Sequence, residues 1–179
     1  NNSVDWMAQQ LFRKSVLKQQ RRILHRAVHY LDKVVEVTRK HSTESLPLLR
    51  ITCFLLAVKL EEEWERYYDG RLIARSGFIM SELRECEIEI LNILDFDLIH
   101  TTLPDMEPHF IDLIATMKST SPSAMMKSYP NFSAIVSLAQ MLSDYMLFYT
   151  GPTVWSATMV NMSVFTIACV ALDSELLMT

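Results

Sequence analysis

Apolar residues recur at three- and four-residue spacing along most of the chain, with few turn-forming residues between them, so helices are predicted almost throughout. Residues 18–38 carry Leu24, Ala27, Val28, Leu31, Val34 and Val35 on one stripe. Lys18, Arg22, Arg26, His29, Lys33 and Glu36 fall on the opposite face, which is expected to be solvated. A shorter segment, Val4 to about Arg13, groups Trp6, Met7, Leu11 and Phe12. The next helix opens near Ser45, a residue suited to cap it, with Pro47 tolerated in the first turn. Its run Ile51–Leu60 is apolar on nearly every side, with Lys59 its one charge, and predicts a central helix surrounded by its neighbours. A short helix near 66–75 and a break at Gly77 lead to residues 79–95. There Met80, Leu83, Ile90, Leu91 and Leu94 define a buried stripe, and Glu87 falls within it.

In the second half, residues 105–117 predict a helix with Met106, His109, Phe110, Leu113 and Ile114 toward the core. The Ser/Pro-rich stretch 118–130 reads as a loop. Residues 131–149 form another amphipathic pattern, with Ile135, Leu138, Leu142, Tyr145 and Met146 on its stripe. Gly151-Pro152 breaks it, and a last helix is expected from about Thr153. No charge lies between Asp144 and Asp173, a stretch long enough to weigh a membrane span. The Gly-Pro break, the polar Ser156, Thr158, Asn161, Ser163 and Thr166, and the lack of a flanking basic cluster favour a second central helix instead. The order of amphipathic helix, short connection and all-round apolar helix thus occurs twice. Ala27-x4-Asp32 is echoed weakly by Ala139-x4-Asp144, which hints at an internal repeat.

Half of the 179 residues are apolar, enough for a core without disulfides. Lys plus Arg number 17 against 21 Asp plus Glu, a net charge of -4 that lacks the positive excess of a nucleic-acid-binding domain. Only three Gly and six Pro argue against a many-stranded β fold. Cys53, Cys86 and Cys169 each sit in an apolar helical pattern, so buried free thiols and a reducing compartment are expected. No charged-then-apolar leader precedes Asp5-Trp6, and no secretory signal is expected.

Enzyme chemistry finds little support. The five histidines show no metal-ligand spacing. His25 and His29, beside Arg22 and Arg26, read as a solvated face. Gly70, Gly77 and Gly151 are isolated and make no phosphate loop. Glu61-Glu62-Glu63 reads as a helix end facing water rather than an acid/base pair. Neither catalysis nor a cofactor or metal is expected. Two residues stand apart, because a lone charge in an apolar interior is costly. Lys59 and Glu87 either pair, which makes both tolerable, or Lys59 extends to solvent while Glu87 sits at an edge.

Four motifs stand in order over residues 4–98: Val4-Asp5-Trp6, Ala27-Val-His-Tyr-Leu-Asp32-Lys33, Leu55-Leu-Ala-Val-Lys59-Leu-Glu-Glu62, and Cys86-Glu87-Ile-Glu-Ile-Leu91-Asn-Ile-Leu-Asp-Phe96-Asp-Leu98. They resemble a cyclin, and the Asp-Trp start is more similar to A/B/E-type cyclins than to transcriptional ones. Leu138-Ala-Gln-Met-Leu-Ser-Asp144 and Tyr149-Thr-Gly-Pro152-Thr153 resemble second-fold counterparts. The resemblance implies an all-α architecture: a five-helix cyclin box over residues 1–98, then a partial second cyclin fold over 99–179.

It further implies a regulatory subunit that binds and activates a cyclin-dependent protein kinase by repositioning the kinase C-helix, in the nucleus and/or cytoplasm. Nucleic acid, membrane and small-molecule substrates are not among the implied partners. In the family the positions of Lys59 and Glu87 form a buried pair that also reaches backbone just before the kinase C-helix, and the lysine's three donors suit that double role. By position Leu60, Leu91, Phe96 and Leu98 would line the groove for that helix. Trp6 corresponds to the family's Arg-x-Leu substrate-docking site. Here Asn1-Asn2-Ser3 precede Val4 instead of a Met-Arg-x-x-Leu motif, and Pro47 replaces a glutamine. The family arginine that partners the Asp32 position is likewise missing. A tandem-cyclin-fold transcription factor of the initiation-factor-B type, binding promoter DNA, is the alternative that shares the fold; the acidic balance weighs against it.

Overall fold

A computed structural model describes residues 2–11, 18–38, 45–61, 71–118, 120–121, 123–124, 129, 131–149 and 156–172. Among the described residues the regular elements are helices: α1 (Asn2–Leu11), α2 (Lys18–Thr38), α3 (Leu46–Leu60), α4 (Arg71–Ser76), α5 (Met80–Ile93), α6 (Leu103–Met117), α7 (Phe132–Tyr149) and α8 (Ala157–Leu172). The expected helical residues Phe12, Arg13, 66–70 and 153–155 lie outside the described residues, as does most of the 118–130 loop.

The first cluster is built around α3. Ile51, Thr52, Cys53, Phe54, Leu55, Leu56, Ala57 and Val58 are all buried, the result expected of a helix apolar on every side. α2 lays Ile23, Leu24, Ala27, Val28, Leu31 and Val34 against it, and α1 and α5 close the sides. Ser45 precedes α3 without a side-chain capping bond, contrary to expectation; Pro47, in the first turn, removes one of the N–H groups a cap would serve. Gly77 has φ +79°, a left-handed turn between α4 and α5 that side chains disfavour. The Glu82 carboxylate then accepts the Ile79 N–H at 2.9 Å and starts α5.

The second cluster packs α6, α7 and α8 around Phe110, Phe132, Ile135, Ala139, Val164, Phe165 and Ala168. Asp105 starts α6 by accepting the Thr102 N–H at 3.0 Å and its hydroxyl at 2.7 Å. On α6, Phe110 is buried and Met106 and Ile114 pack against the cluster as expected, but Leu103, Pro104 and Glu107 are also buried, whereas His109 and Leu113 are exposed. On α7, Ile135 is buried as expected and Tyr145 is not. α8 also differs from expectation. Its inward side chains are covered, but Met159, Met162, Ile167 and Val170 are exposed, so it is enclosed on one side only. Among the described residues no helix is long and apolar enough to cross a membrane. α2 touches α6 and α7 as well as the first cluster, and so joins the two.

Candidate functional site

Lys59 ends α3 where that helix runs beside α5, and Glu87 faces it from the middle of α5. The ammonium donates to both carboxylate oxygens at 2.7 Å each. The two side chains are 39% and 22% exposed, so the pair sits at the rim of the packed helices and not in the apolar interior. Both readings of these residues hold in part: Lys59 extends toward water, and Glu87 meets it there. Beside the pair is a pocket of ≈ 220 Å³ whose apolar walls are Leu55, Ile73, Met80 and Leu83, with Arg84 at its edge.

Along α5, Arg84, Glu87, Ile88 and Leu91 share one face by their three- and four-residue spacing. Leu60, Leu91 and Leu98 are half-buried against the first cluster. Phe96 is 66% exposed. It belongs to the turn that ends α5, where Asp95 and Phe96 adopt positive φ of 50° and 57°. Two successive side-chain-bearing residues in this region cost about 1–2 kcal/mol each. The Phe96 N–H donates to Leu91 O at 2.9 Å and the Asp97 N–H to Leu94 O at 2.9 Å, which closes the turn.

A second polar group lies where α2 meets α6 and α7. Arg21 donates through Nε to the Asp144 carboxylate at 2.9 and 3.0 Å and through Nη1 to Glu107 at 2.8 Å. Its Nη2 donates to the Gln140 carbonyl at 3.2 Å. Arg21 and Glu107 are 5% and 4% exposed. Burial alone would lower the Arg21 pKa, but Asp144 and Glu107 hold it above its usual value. His25 is buried beside them, with Nε2 2.9 Å from Asp144. An ionised carboxylate can only accept, so that nitrogen carries the proton. Burial keeps the imidazole neutral, and the bonds from His25 and Arg21 keep Asp144 ionised against the opposing effect of burial.

Arg26 and Arg22 extend the network, Arg26 to Glu61 at 2.8 Å and Arg22 to Asp105 at 2.7 Å. On the α2 face expected to be solvated, Arg26 and His25 are buried, Arg22, His29 and Lys33 are half-buried and Glu36 is exposed, while Glu61 turns inward. Glu62 and Glu63 lie outside the described residues. One turn farther along α2, His29 stacks on His100 with centroids 3.6 Å apart and planes at 20°. The adjacent Tyr30 hydroxyl donates to Leu98 O at 2.7 Å.

Compared with known proteins, residues 1–99 match the cyclin N-terminal domain. The chain belongs to the cyclin family. No curated protein and no solved structure matches it. The family is regulatory and non-catalytic, and its fold points to a protein partner. Among the described residues of this cyclin, no group of three or more His, Cys, Asp or Glu side chains is placed to hold a metal.

Trp6 packs edge-on against Phe54 at 5.9 Å, and the Arg50 guanidinium lies 4.4 Å from the centre of its ring, a cation–π contact no spacing had suggested. Among the described residues no arginine pairs with Asp32. Burial, with Glu36 adding to it, pushes its pKa up to about 6. Cys53, Cys86 and Cys169 are buried thiols, as expected.

Proposed function

We propose that this cyclin is a regulatory subunit that binds and activates a cyclin-dependent protein kinase, in the nucleus or cytoplasm where that kinase acts. It is an A/B/E-like cyclin in this reading, with α6, α7 and α8 forming part of a second cyclin fold after the box at 1–98. The observation that carries the proposal is the Lys59–Glu87 pair, held at 2.7 Å on two packed helices yet partly in water. A carboxylate fixed by one ammonium still has lone pairs for a partner's backbone N–H. Leu60, Leu91, Leu98 and the exposed Phe96 supply apolar surface on the same elements and the turn that follows them. Such a surface suits one face of a helix.

The kinase C-helix carries the glutamate that must pair with the strand lysine over the ATP phosphates. Holding the C-helix against α3 and α5 selects the arrangement in which that pair forms, which is activation by population shift. Binding of a purified monomeric cyclin-dependent kinase tests this. Lys59→Ala and Glu87→Ala should each weaken the complex by about 2–5 kcal/mol, because each strands a charge at the contact. Both should leave the thermal midpoint nearly unchanged. Wild-type affinity in both variants would sink the assignment.

A further inference from the structure

The turn that displays Phe96 is held from one side by consecutive residues of α2. Asp95 and Phe96 occupy left-handed backbone without being glycine, a conformation that persists only where its surroundings over-determine it. Upstream, the turn is secured by its own helix through the Phe96 N–H to Leu91 O and by buried Leu94. Downstream, α6 begins only at Leu103, so the chain from Asp97 to Thr102 needs other anchors. Two are present. The Leu98 carbonyl accepts the Tyr30 hydroxyl at 2.7 Å, and the His100 ring lies flat on His29 at 3.6 Å with its edge toward Tyr30 at 5.6 Å.

We propose that Tyr30, with the His29–His100 stack, is a clamp that positions the Asp95–Leu98 turn and so presents Phe96 to the kinase C-helix. These are positioning residues: they act through the turn. Tyr30 is fully buried in the first cluster, so its hydroxyl is fixed by ring packing before the turn docks. The stack adds no charge. Burial first, then His100 and Lys33, push His29 to about 3, and burial, then Arg26 and Lys33, push His100 to about 4, so both rings are neutral near pH 7. The placement also explains why an apolar ring can stay 66% exposed on a short turn without folding back onto the core.

The inference rests on the reading of Phe96 as a kinase contact, and two separate measurements keep them apart. Without kinase, Tyr30→Phe keeps the ring and removes only the hydroxyl. It should speed amide exchange of Phe96, Asp97 and Leu98 by about three- to tenfold, the effect of losing the bond to Leu98 O; the hydroxyl's other contact, with Arg26, lies away from the turn. Exchange in α3 and α5 should not change. His100→Ala should act alike, and His100→Phe, which can still stack, should restore protection. With a purified monomeric cyclin-dependent kinase, Tyr30→Phe should weaken binding by a similar factor when Phe96 is present and have no effect in a Phe96→Ala background.

Turn amides that exchange at the wild-type rate in both Tyr30→Phe and His100→Ala would overturn the clamp, whatever the kinase does. A loosened turn with unchanged affinity would overturn its positioning role. Wild-type protein that binds no such kinase would overturn the function itself and the positioning role with it.

Discussion

Two groups of charges in this molecule look alike on paper and behave oppositely. Lys59–Glu87 joins α3 to α5 at a rim, while Arg21–Glu107–Asp144 joins α2 to α6 and α7 in the interior. At the rim each ion keeps part of its hydration, so the pair contributes little to folding and remains able to meet a partner. Inside, Arg21 and Glu107 have given up their water while Asp144 keeps some at 25% exposed, and the guanidinium is tolerable because two carboxylates answer it. The structure thus separates the charges that recognise from the charges that hold. The depth of the cation decides which is which, Lys59 being 39% exposed and Arg21 5%, since the distances are nearly equal.

The largest test of that division is Arg21→Ala. It strands Glu107 and Asp144 and should lower unfolding free energy by about 3–5 kcal/mol in a denaturant titration. A loss under about 1 kcal/mol would erase the distinction between the two groups. A sharper test uses the aspartates that the weak internal repeat aligns, Asp32 on α2 and Asp144 on α7. Asp144 is held below its ordinary pKa, so its contribution is present above about 3.9 and fades as pH falls. Asp32 is raised to about 6, so the fold favours its protonated form: that stability is full below the unfolded value and is lost as pH rises through 6. Asp32→Asn should therefore stabilise the protein at pH 7 by about 1 kcal/mol and make no difference at pH 3, whereas Asp144→Asn should destabilise it at pH 7. Stability curves with the same sign for both variants would contradict this. The smallest expected change is that of Glu87→Gln, about 0–1 kcal/mol in the same titration.

Much of the fold was legible because burial repeats with the helical period. The stripes of α2 and α3 and the break at Gly77 follow from it directly. Lys59 and Glu87 could be singled out because each is a solitary charge among apolar neighbours, which narrows the choice of partner. Their depth could not be read, since periodicity says which way a residue points but not how far the neighbouring helix extends past it. The interior network escaped for a different reason. Arg21, Arg22, His25 and Arg26 cluster as a solvated face would, and their carboxylates arrive in part from residues 86 and 123 positions away. One signal was present: Glu107 lies on the same face as Leu103 and Phe110, and both Glu107 and Leu103 are buried, whereas His109 and Leu113, expected inside, are exposed. α8 was misjudged because an all-round apolar pattern specifies what a helix tolerates, not what covers it.

Arg21 also bears on where this protein can be divided. It stands on the helix that completes the first cluster, yet its counter-ions belong to α6 and α7. Truncation after Ile99 would preserve the family-matching portion while leaving a guanidinium moulded to partners that had been cut away. A fragment cut there is expected to unfold at lower denaturant than the whole chain, because the guanidinium would be left without its counter-ions.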